Sequence, residues 1–372
     1  MKLRKLITVC SALSAAAIVH SASAELAIEK VGKVEKLPDT PHIIVSEWER
    51  SHVINPEDFT HQGTISEATQ KVMSLDKKTL YTTRTYYDKG REGAKHDNVR
   101  FWDLETLEPT LEVPITDKLA MTGMQIPFMQ GSAKQKWLFM QNATPATSVT
   151  VFDVKAKEQA AEVPLPGCWG VYPVMKDEDR FAALCGDGRI STVTVKDSGE
   201  YDSTKRSDVI FDVDQDPLFV FAERDGDTLF FVSFNGNFYT IDISGDRAVL
   251  KSKKQIVPEG EPGNYKPSGY QLMSKIPGTS YLYILMQEEA WDGSHIEPAT
   301  EAWVYDYKAN KIVSRSTISD GISVQYYSGD GKYLFLGTKS HGLVRYFVDP
   351  NAAYTLRRDK FMKMDRPSAF VL

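Results

Sequence analysis

The sequence has 372 residues, a formal net charge of −6 at pH 7, and 42% hydrophobic and 25% charged residues, as in a globular protein. The acidic balance argues against nucleic acid and against an anionic membrane surface as partners. The length is compatible with two ordinary domains or with one repeat architecture.

The first 24 residues have the features of a secretory signal peptide. Three cations precede an apolar stretch at residues 6–19, and a cleavage site Ala-Ser-Ala ends at residue 24. The apolar stretch is too short to span a bilayer comfortably. We therefore expect an exported, soluble chain that starts at Glu25, with a short N-terminal extension at 25–40 and a folded domain at 41–372.

A short phrase recurs along this domain: a turn rich in Gly, Asp, Lys and Ser, followed by apolar and aromatic residues that are typical of a strand start. Its copies lie at residues 74–83, 131–140, 175–184, 223–232, 276–285 and 328–337. After most copies comes an alternating strand that often ends in Asp, then a polar turn and another strand. Each repeat therefore predicts about four strands.

The aspartates at these strand ends measure the repeat. They are Asp58, Asp103, Asp153, Asp242, Asp306 and Asp349. Three of the five gaps are 43–50 residues, and the gap of 89 residues holds two repeats. This spacing, with almost no helical periodicity, predicts an all-β fold: a seven-bladed β-propeller with four-stranded antiparallel blades. Six or eight blades are the alternatives. We expect the strand at 41–47 to join the last blade and close the ring.

The repeat that ends at Asp306 is longer than the others. Its extra residues lie at 286–302, in a loop that contains His295. A long loop on a propeller face is a good position for a partner contact, and a tolerated surface insertion is the alternative.

Cys168 and Cys185 are the only cysteines after residue 10. In an oxidising compartment two lone cysteines favour a structural disulfide, and free thiols, a metal site and redox chemistry are the alternatives. A crosslink between them would contribute about 3 kcal/mol to stability.

Catalytic signatures are absent from the sequence. It has no zinc-protease, nucleophile-elbow or phosphate-loop motif. The alternating carboxylates at 212–217 lack the central Gly and distal Glu of a calcium loop. We therefore expect no catalytic, cofactor-binding or metal-binding residues in this chain.

Several stretches together resemble the heavy chain of the quinoprotein amine dehydrogenases, which are the methylamine and aromatic amine dehydrogenases. The strongest is PGCWGVYP at 166–173 followed by CGDGRISTVTV at 185–195. The segment LFMQNATPATSVTVFDV at 138–154 is especially similar to the aromatic amine dehydrogenase version. The resemblance covers roughly residues 40–350.

The resemblance implies the non-catalytic heavy subunit of a periplasmic enzyme that converts a primary amine to an aldehyde and ammonia, with aromatic amines favoured and methylamine possible. It implies an α2β2 assembly with a light chain that carries tryptophan tryptophylquinone. Electrons would pass to a blue copper protein of the azurin or amicyanin type, or to a cytochrome c. The heavy chain would carry no cofactor, hold the light chain and line the substrate channel.

At one position the sequence departs from the family. The resemblance places Glu67 where the family has a channel phenylalanine, so we expect Glu67 to line the substrate channel and to favour a cationic or second-amine substrate. The alternatives are a misplaced alignment or a solvent-facing Glu67. The charged loop at 88–98 matches a basic loop of the family, so the expected partner contacts are Lys89, Arg91, Lys95 and His96, together with His295 in the long loop. An ordinary solvated hairpin is the alternative for the loop at 88–98.

Two other function classes stay open. One is a stand-alone periplasmic propeller that acts as a binding module without quinone chemistry. The other is a self-sufficient propeller hydrolase or lyase, against which the scatter of histidines and carboxylates argues.

Overall fold

The computed structural model describes residues 36–47, 49–67, 70–120 and 125–371. The predicted signal peptide and most of the predicted extension lie outside these residues. The described part contains 28 β-strands and three short 3-10 turns, at Ile126–Phe128, Ser294–Ile296 and Pro350–Ala352. The all-β prediction is confirmed for this part of the chain.

Twenty of the strands form five separate four-stranded antiparallel sheets, which are the blades of a propeller. Blade 1 consists of β1 (Ile43–Ser46), β2 (Ser51–Asn55) and β3 (Thr60–Ile65), with the last strand of the chain, β28 (Ala369–Val371), beside β1. Blade 2 consists of β4 (Lys71–Met73), β5 (Thr79–Tyr87), β6 (Lys95–Asp103) and β7 (Glu108–Ile115). Blade 3 consists of β8 (Met129–Gly131), β9 (Trp137–Asn142), β10 (Ser148–Asp153) and β11 (Glu158–Pro164).

Blades 4 and 5 follow in chain order. Blade 4 consists of β12 (Cys168–Pro173), β13 (Arg180–Cys185), β14 (Ile190–Val195) and β15 (Tyr201–Arg206). Blade 5 consists of β16 (Glu223–Asp225), β17 (Thr228–Val232), β18 (Asn237–Asp242) and β19 (Val249–Gln255). The remaining strands are β20 (Lys266–Pro267), β21 (Met273–Lys275), β22 (Tyr281–Gln287), β23 (Ala299–Asp306), β24 (Lys311–Tyr327), β25 (Tyr333–Thr338), β26 (Leu343–Asp349) and β27 (Thr355–Met362).

The predicted count of seven blades is wrong for the described residues, because these last eight strands form one continuous sheet. The cause is β24, which runs for 17 residues without a break. It pairs with β23 from Lys311 to Gly321, with a register shift after Thr317, and with β25 from Gly321 to Tyr327. Pairing continues because this segment contains no proline and is rich in β-branched residues.

The ring closes through the two ends of the described chain. β28 pairs with β1, with Ile44 opposite Val371, so the C-terminal strand completes the first blade. The prediction that the N-terminal strand joins the last blade was therefore wrong in detail. β28 is therefore the innermost strand of blade 1, and it pairs with the edge of β1 that would otherwise be free.

The aspartate of the repeat ends the third strand of a blade and shapes the turn that follows. The Asp103 carboxylate accepts two backbone N–H groups of the turn, and Leu107 has φ of +56°. Asp153 and Lys157 repeat this arrangement in blade 3. In blade 1 the position belongs to Asn55 and not to the predicted Asp58. Side-chain amides and carboxylates of this length cap such turns, which explains the periodic signal.

Apolar cores lie between adjacent sheets. One core joins Ile65 of blade 1 to Leu80 and Trp102 of blade 2. Another joins Ile54 of blade 1 to Phe335 of the eight-stranded sheet. Blade 1 therefore sits between blade 2 on one side and β25–β27 on the other.

Candidate functional site

The antiparallel order of the blades brings two kinds of segment to the same end of the strands. These are the connections from one blade to the next, such as those after β3 and β19, and the hairpin loops between the second and third strands, such as 88–94 and 288–298. We call this end of the propeller the connection face. All the candidate residues from the sequence lie on it or close to it.

Glu67 follows β3 in the connection to blade 2, and only 1% of the residue is exposed. Its Oε1 accepts from Arg100 Nη1 at 2.8 Å, and its Oε2 lies 3.4 Å from Arg84 Nη1. The Ser51 hydroxyl donates to the backbone carbonyl of Glu67 at 2.5 Å. The carboxylate is thus held between two guanidiniums that project from neighbouring positions of β5 and β6.

Lys71 completes this buried charge cluster. Its Nζ donates to Ser46 Oγ at 2.5 Å, which links β4 to β1. Burial lowers the pKa of Lys71 to about 7, against the opposing charge of Glu67. Burial also raises the pKa of the Glu67 carboxyl, while Arg84 and Arg100 oppose that shift. Such shifts are typical of charged groups removed from water between packed sheets.

Both oxygens of the Glu67 carboxylate already pair with guanidiniums, so the carboxylate is not available to bind the second ammonium group of a diamine substrate. A cationic substrate would have to displace a guanidinium that is already paired with the carboxylate. Arg84 is the member that faces solvent, with a side chain that is 40% exposed. Arg100 is further inside and also pairs with Glu112 at 2.5 Å.

The predicted loop at 88–98 is shorter in the structure: residues 88–94 form the tip of the hairpin between β5 and β6, and Lys95 and His96 already belong to β6. Lys89 and Arg91 are exposed at this tip. Lys95 is less accessible to a partner, because its ammonium pairs with Asp97 at 2.8 Å and donates to the backbone carbonyl of Leu119. His96 pairs with Asp88 and lies against the exposed ring of Tyr86.

The long loop at 288–298 presents an apolar patch, which we define as Tyr270, Trp291 and Ile296. These side chains are 40%, 59% and 48% exposed. The backbone N–H of Gly269 donates to the carbonyl of His295 at 3.0 Å, which holds the loop against the segment that carries Tyr270. Exposed large apolar groups gathered on one face are typical of an interaction site.

His295 supports this patch. Its ring lies edge-on to Phe219 and Phe234, with centroids 6.4 and 6.2 Å away. No acid or base partner of its ring is seen among the described residues. The geometry fits a packing and contact residue better than a general base, which needs an orienting partner.

Cys168 and Cys185 form a disulfide between β12 and β13 of blade 4, where they lie directly opposite each other. Both residues are 4% exposed, so the bond is buried and holds the two strands together. Trp169 packs near Phe128, which belongs to the turn before blade 3. The disulfide therefore anchors the inner edge of blade 4 at the connection face.

The acidic segment at 212–217 forms a capped turn and not a cation loop. Asp212 accepts backbone N–H groups of its own turn, and Asp216 accepts from Tyr239 and Lys253. In the part of the chain that the structure describes, no three His, Cys, Asp or Glu side chains are placed to hold a metal ion. Within the same residues, no helix has the length and hydrophobicity for a membrane crossing.

The sequence indicates Glu67 and the long loop but not the residues that contact them. Arg84 and Arg100 lie 17 and 33 residues from Glu67, and nothing in their local sequence marks them as its partners. The basic hairpin residues and the apolar patch lie on the same face, but the structure does not bring them into one site. The sequence shows Trp291 in the long loop, but only the structure shows that its side chain is exposed.

The fold and the site define a β-propeller protein whose connection face carries a buried charge cluster and an exposed apolar patch. The sequence model of the methylamine dehydrogenase heavy chain matches residues 42–341. The chain belongs to this family.

Individual relatives agree with this assignment at low identity. The methylamine dehydrogenase heavy chain of Methylobacillus flagellatus is 23% identical over 260 residues, which cover 68% of this chain. The match spans 64% of that relative, which is less than two thirds of its length. The heavy chain of Methylophilus methylotrophus is 22% identical over 324 residues and covers 81% of this chain and 78% of its own.

A solved structure supports the fold alone. A functionally unknown protein from Desulfotomaculum acetoxidans superposes with a TM-score of 0.63, at 8% identity, over 89% of this chain and 98% of its own.

Proposed function

We propose that this chain is the heavy subunit of a periplasmic amine dehydrogenase, in which it holds a small light chain on its connection face. The observation that carries the proposal is the family match over residues 42–341. It is supported by the apolar patch on the same face, because an exposed patch of aromatic and aliphatic groups suits a permanent protein partner.

The proposed assembly is α2β2, with tryptophan tryptophylquinone on the light chain. That group, when bound there, would accept the electrons of the amine and pass them to a blue copper protein or a cytochrome c. The residues of this chain would position the light chain and line the channel through which the substrate reaches it. The match to methylamine dehydrogenase relatives leaves the preference for aromatic amines as a proposal.

We further propose that Glu67 acts at the channel through Arg84. The carboxylate is buried, and the guanidinium that it holds is partly exposed on the same side of the connection. A fixed guanidinium at a channel wall would disfavour amines with a second positive charge and would tolerate neutral aromatic rings. This reverses the substrate preference expected from Glu67 alone.

The test is purification of the protein from its native host, followed by mass and absorbance analysis. The expected result is co-purification with a small chain whose quinone absorbance bleaches when an amine is added. Tyramine, phenethylamine and methylamine would then be compared by kcat/KM, with 1,4-diaminobutane as the doubly charged amine. A colourless protein without a small partner would replace the proposal with that of a stand-alone binding propeller.

A further inference from the structure

Two histidines of blade 1 meet on the same side of the sheet. His52 lies on β2 and His61 on β3, which are the third and the outermost strands of the blade. His52 Nδ1 lies 3.0 Å from His61 Nε2, and the rings meet edge to face with their centroids 5.1 Å apart. We call these two residues the histidine pair. Neither belongs to the charge cluster or to the apolar patch.

The pairing of β2 with β3 explains why the two rings meet. His52 lies directly opposite Thr64, and the next pair on the same side of the sheet is Ile54 with His61. A register shift in β3 leaves Gln62 without a partner of its own and so moves His61 to that side. The same kind of shift occurs in blades 2 and 3. The fold of the blade therefore fixes where the pair lies.

A carboxylate lies behind the first ring. His52 Nε2 is buried and lies 3.0 Å from Glu47 Oε1. The other oxygen of Glu47 accepts the backbone N–H of Asp365 at 2.8 Å, and Arg50 Nε lies 3.2 Å from Oε1. The carboxylate is thus held from two sides, and its charge favours the tautomer of His52 that carries the hydrogen on Nε2. In that tautomer Nδ1 presents a lone pair to His61.

The two facing nitrogens share one hydrogen. Since Nδ1 of His52 then accepts, the donor is Nε2 of His61. A metal ion can take the place of this hydrogen, because His61 can carry its hydrogen on Nδ1 and present a lone pair from Nε2. Two nitrogens bound to one tetrahedral metal ion are about 3.3 Å apart, which is close to the 3.0 Å in this structure.

Solvent reaches the pair from one side. His61 and Thr64 are exposed, whereas the His52 side chain is 14% exposed. The Thr64 hydroxyl lies 3.2 Å from His61 Nε2, where it can bond to a water on the metal ion. A partly buried ligand beside an accessible one suits an ion that enters from solution and keeps some of its water.

We propose that His52 and His61 bind a divalent transition-metal ion, with Glu47 as the residue that orients His52 and with water in the remaining positions. Imidazole nitrogens suit copper and zinc, and Cu²⁺ is expected to bind more tightly than Zn²⁺. Among the described residues no third His, Cys, Asp or Glu ligand joins the pair, so we expect an exchangeable ion. The inference goes beyond the proposed function, since it concerns the outer strands of blade 1 and needs no light chain.

The bound ion would join β2 to β3, and the contacts of the site extend beyond blade 1. Glu47 connects His52 to Asp365, which lies in the segment after β27 of the eight-stranded sheet. An ion that binds the folded chain and not the unfolded chain shifts the unfolding equilibrium toward the folded state. Metal binding should therefore stabilise the boundary at which the ring closes.

The test uses the untagged full-length secreted protein, in the assembly in which it purifies, after treatment with EDTA and dialysis. Titration calorimetry with CuCl2, and separately with ZnCl2, measures the affinity and the number of ions. Electron paramagnetic resonance of the Cu²⁺ form reports the nitrogen ligands. The wild-type protein is expected to bind one Cu²⁺ per copy of this chain through two imidazole nitrogens, and to unfold at a higher temperature with the ion than without it.

Three variants and a control separate the ligands from their surroundings. His52→Gln and His61→Gln each remove a ligand, and each should bind Cu²⁺ at least tenfold more weakly and lose the two-nitrogen signal. Glu47→Gln should weaken binding about tenfold and keep that signal, as is usual for a carboxylate that orients a ligating histidine. The matched control is His341→Gln, since His341 is exposed and lies 2.8 Å from Asp320, with no second imidazole beside it in the described structure. It should bind Cu²⁺ as the wild-type protein does.

Thermal unfolding of each variant without metal separates a lost site from a lost fold. The proposal is overturned if the wild-type protein binds no more Cu²⁺ than folded His52→Gln and His61→Gln, because the pair would then be only a hydrogen-bonded feature of the surface. It is equally overturned if folded His61→Gln keeps the two-nitrogen signal. These readouts do not depend on amine oxidation, so they distinguish a failure here from a failure of the proposed function.

Discussion

Glu67 Oε1 lies 2.8 Å from Arg100 Nη1, and this contact ties the connection after β3 to the middle of β6. Replacing Glu67 with Gln would keep the shape of the side chain and remove the charge that Arg100 and Arg84 share. Removing one member of a buried, hydrogen-bonded charge cluster leaves the others uncompensated. We expect Glu67→Gln to lower the free energy of unfolding by about 2 kcal/mol, measured by urea denaturation.

The matched control is Glu105→Gln, since Glu105 pairs with Lys36 at 3.2 Å on the open surface. Exposed pairs of this kind contribute little, so the control should change the free energy of unfolding by less than about 0.5 kcal/mol. Equal effects of the two substitutions would show that the Glu67 cluster has no special energetic role.

The buried Lys71 gives the protein a defined pH dependence. Burial lowers its pKa from 10.5 to about 7, so between about pH 7 and pH 10 the unfolded chain binds a proton that the folded chain does not. The contribution of this group to the free energy of unfolding therefore rises with pH across that window and is at its lowest below pH 7. We expect Lys71→Met to flatten this rise, measured by denaturation at several pH values.

Lys205→Met is the control for Lys71→Met, because Lys205 is exposed on β15. It should leave the pH dependence of stability unchanged. An unaltered slope in Lys71→Met would mean that Lys71 stays charged in the folded protein throughout the window.

The strands and the site differ in how far local sequence could predict them. The Asp103 turn could be predicted, because an aspartate that caps the following backbone N–H groups needs only its neighbours. The disulfide could be predicted from the signal-peptide pattern together with two lone cysteines. The eight-stranded sheet could not, because whether β24 continues or breaks depends on strands on both of its sides.

The candidate site shows the same limit. The sequence indicated Glu67 through a resemblance and could not show that its charge is already paired. Partners that are distant in sequence meet only after the blades are packed. The ring closure was misassigned for a related reason, since the pairing of β28 with β1 joins opposite ends of the chain.

The disulfide should stabilise the fold because it restricts the unfolded chain between the two cysteines. Cys168 and Cys185 are 17 residues apart, and closing a loop of that size stabilises a fold by about 3 kcal/mol. The double substitution Cys168→Ser with Cys185→Ser should lower the free energy of unfolding by about that amount. The reduced wild-type protein, kept in dithiothreitol, is the parallel measurement, and a stability equal to that of the oxidised protein would contradict the prediction.

Arg345 reinforces the closure of the ring. It is 3% exposed, pairs with Asp359 at 2.7 Å and donates to the backbone carbonyls of Pro56 and Glu57 at 2.9 and 2.6 Å. Its guanidinium also lies 4.1 Å from the centre of the Tyr333 ring. Arg345→Met would leave a largely buried carboxylate and two carbonyls without this donor. We expect a loss of about 3 kcal/mol in thermal or urea unfolding.

Arg358→Met on the adjacent strand is the control for Arg345→Met, since Arg358 is exposed and its ring contact is at 5.8 Å. It should change the free energy of unfolding by less than about 0.5 kcal/mol. If Arg345→Met lowers the free energy of unfolding as little as Arg358→Met does, the ring closure depends on the β1–β28 pairing and not on Arg345.

The apolar patch provides the sharpest test of where the proposed light chain binds. Trp291 and Ile296 are 59% and 48% exposed, and their side chains can be removed with little loss of core packing. If the light chain covers this patch, Trp291→Ser with Ile296→Ser should weaken its retention during purification at least tenfold, since central aromatic residues dominate interface energy. Thermal unfolding of the chain alone should be nearly unchanged.

Leu75→Ser is the control for this double substitution. Leu75 is 67% exposed in the loop between β4 and β5, at the opposite end of the strands, so retention of the light chain should stay at the wild-type level. Equal retention in both variants would locate the partner elsewhere, because an interface that buried Trp291 could not lose this side chain without weakening.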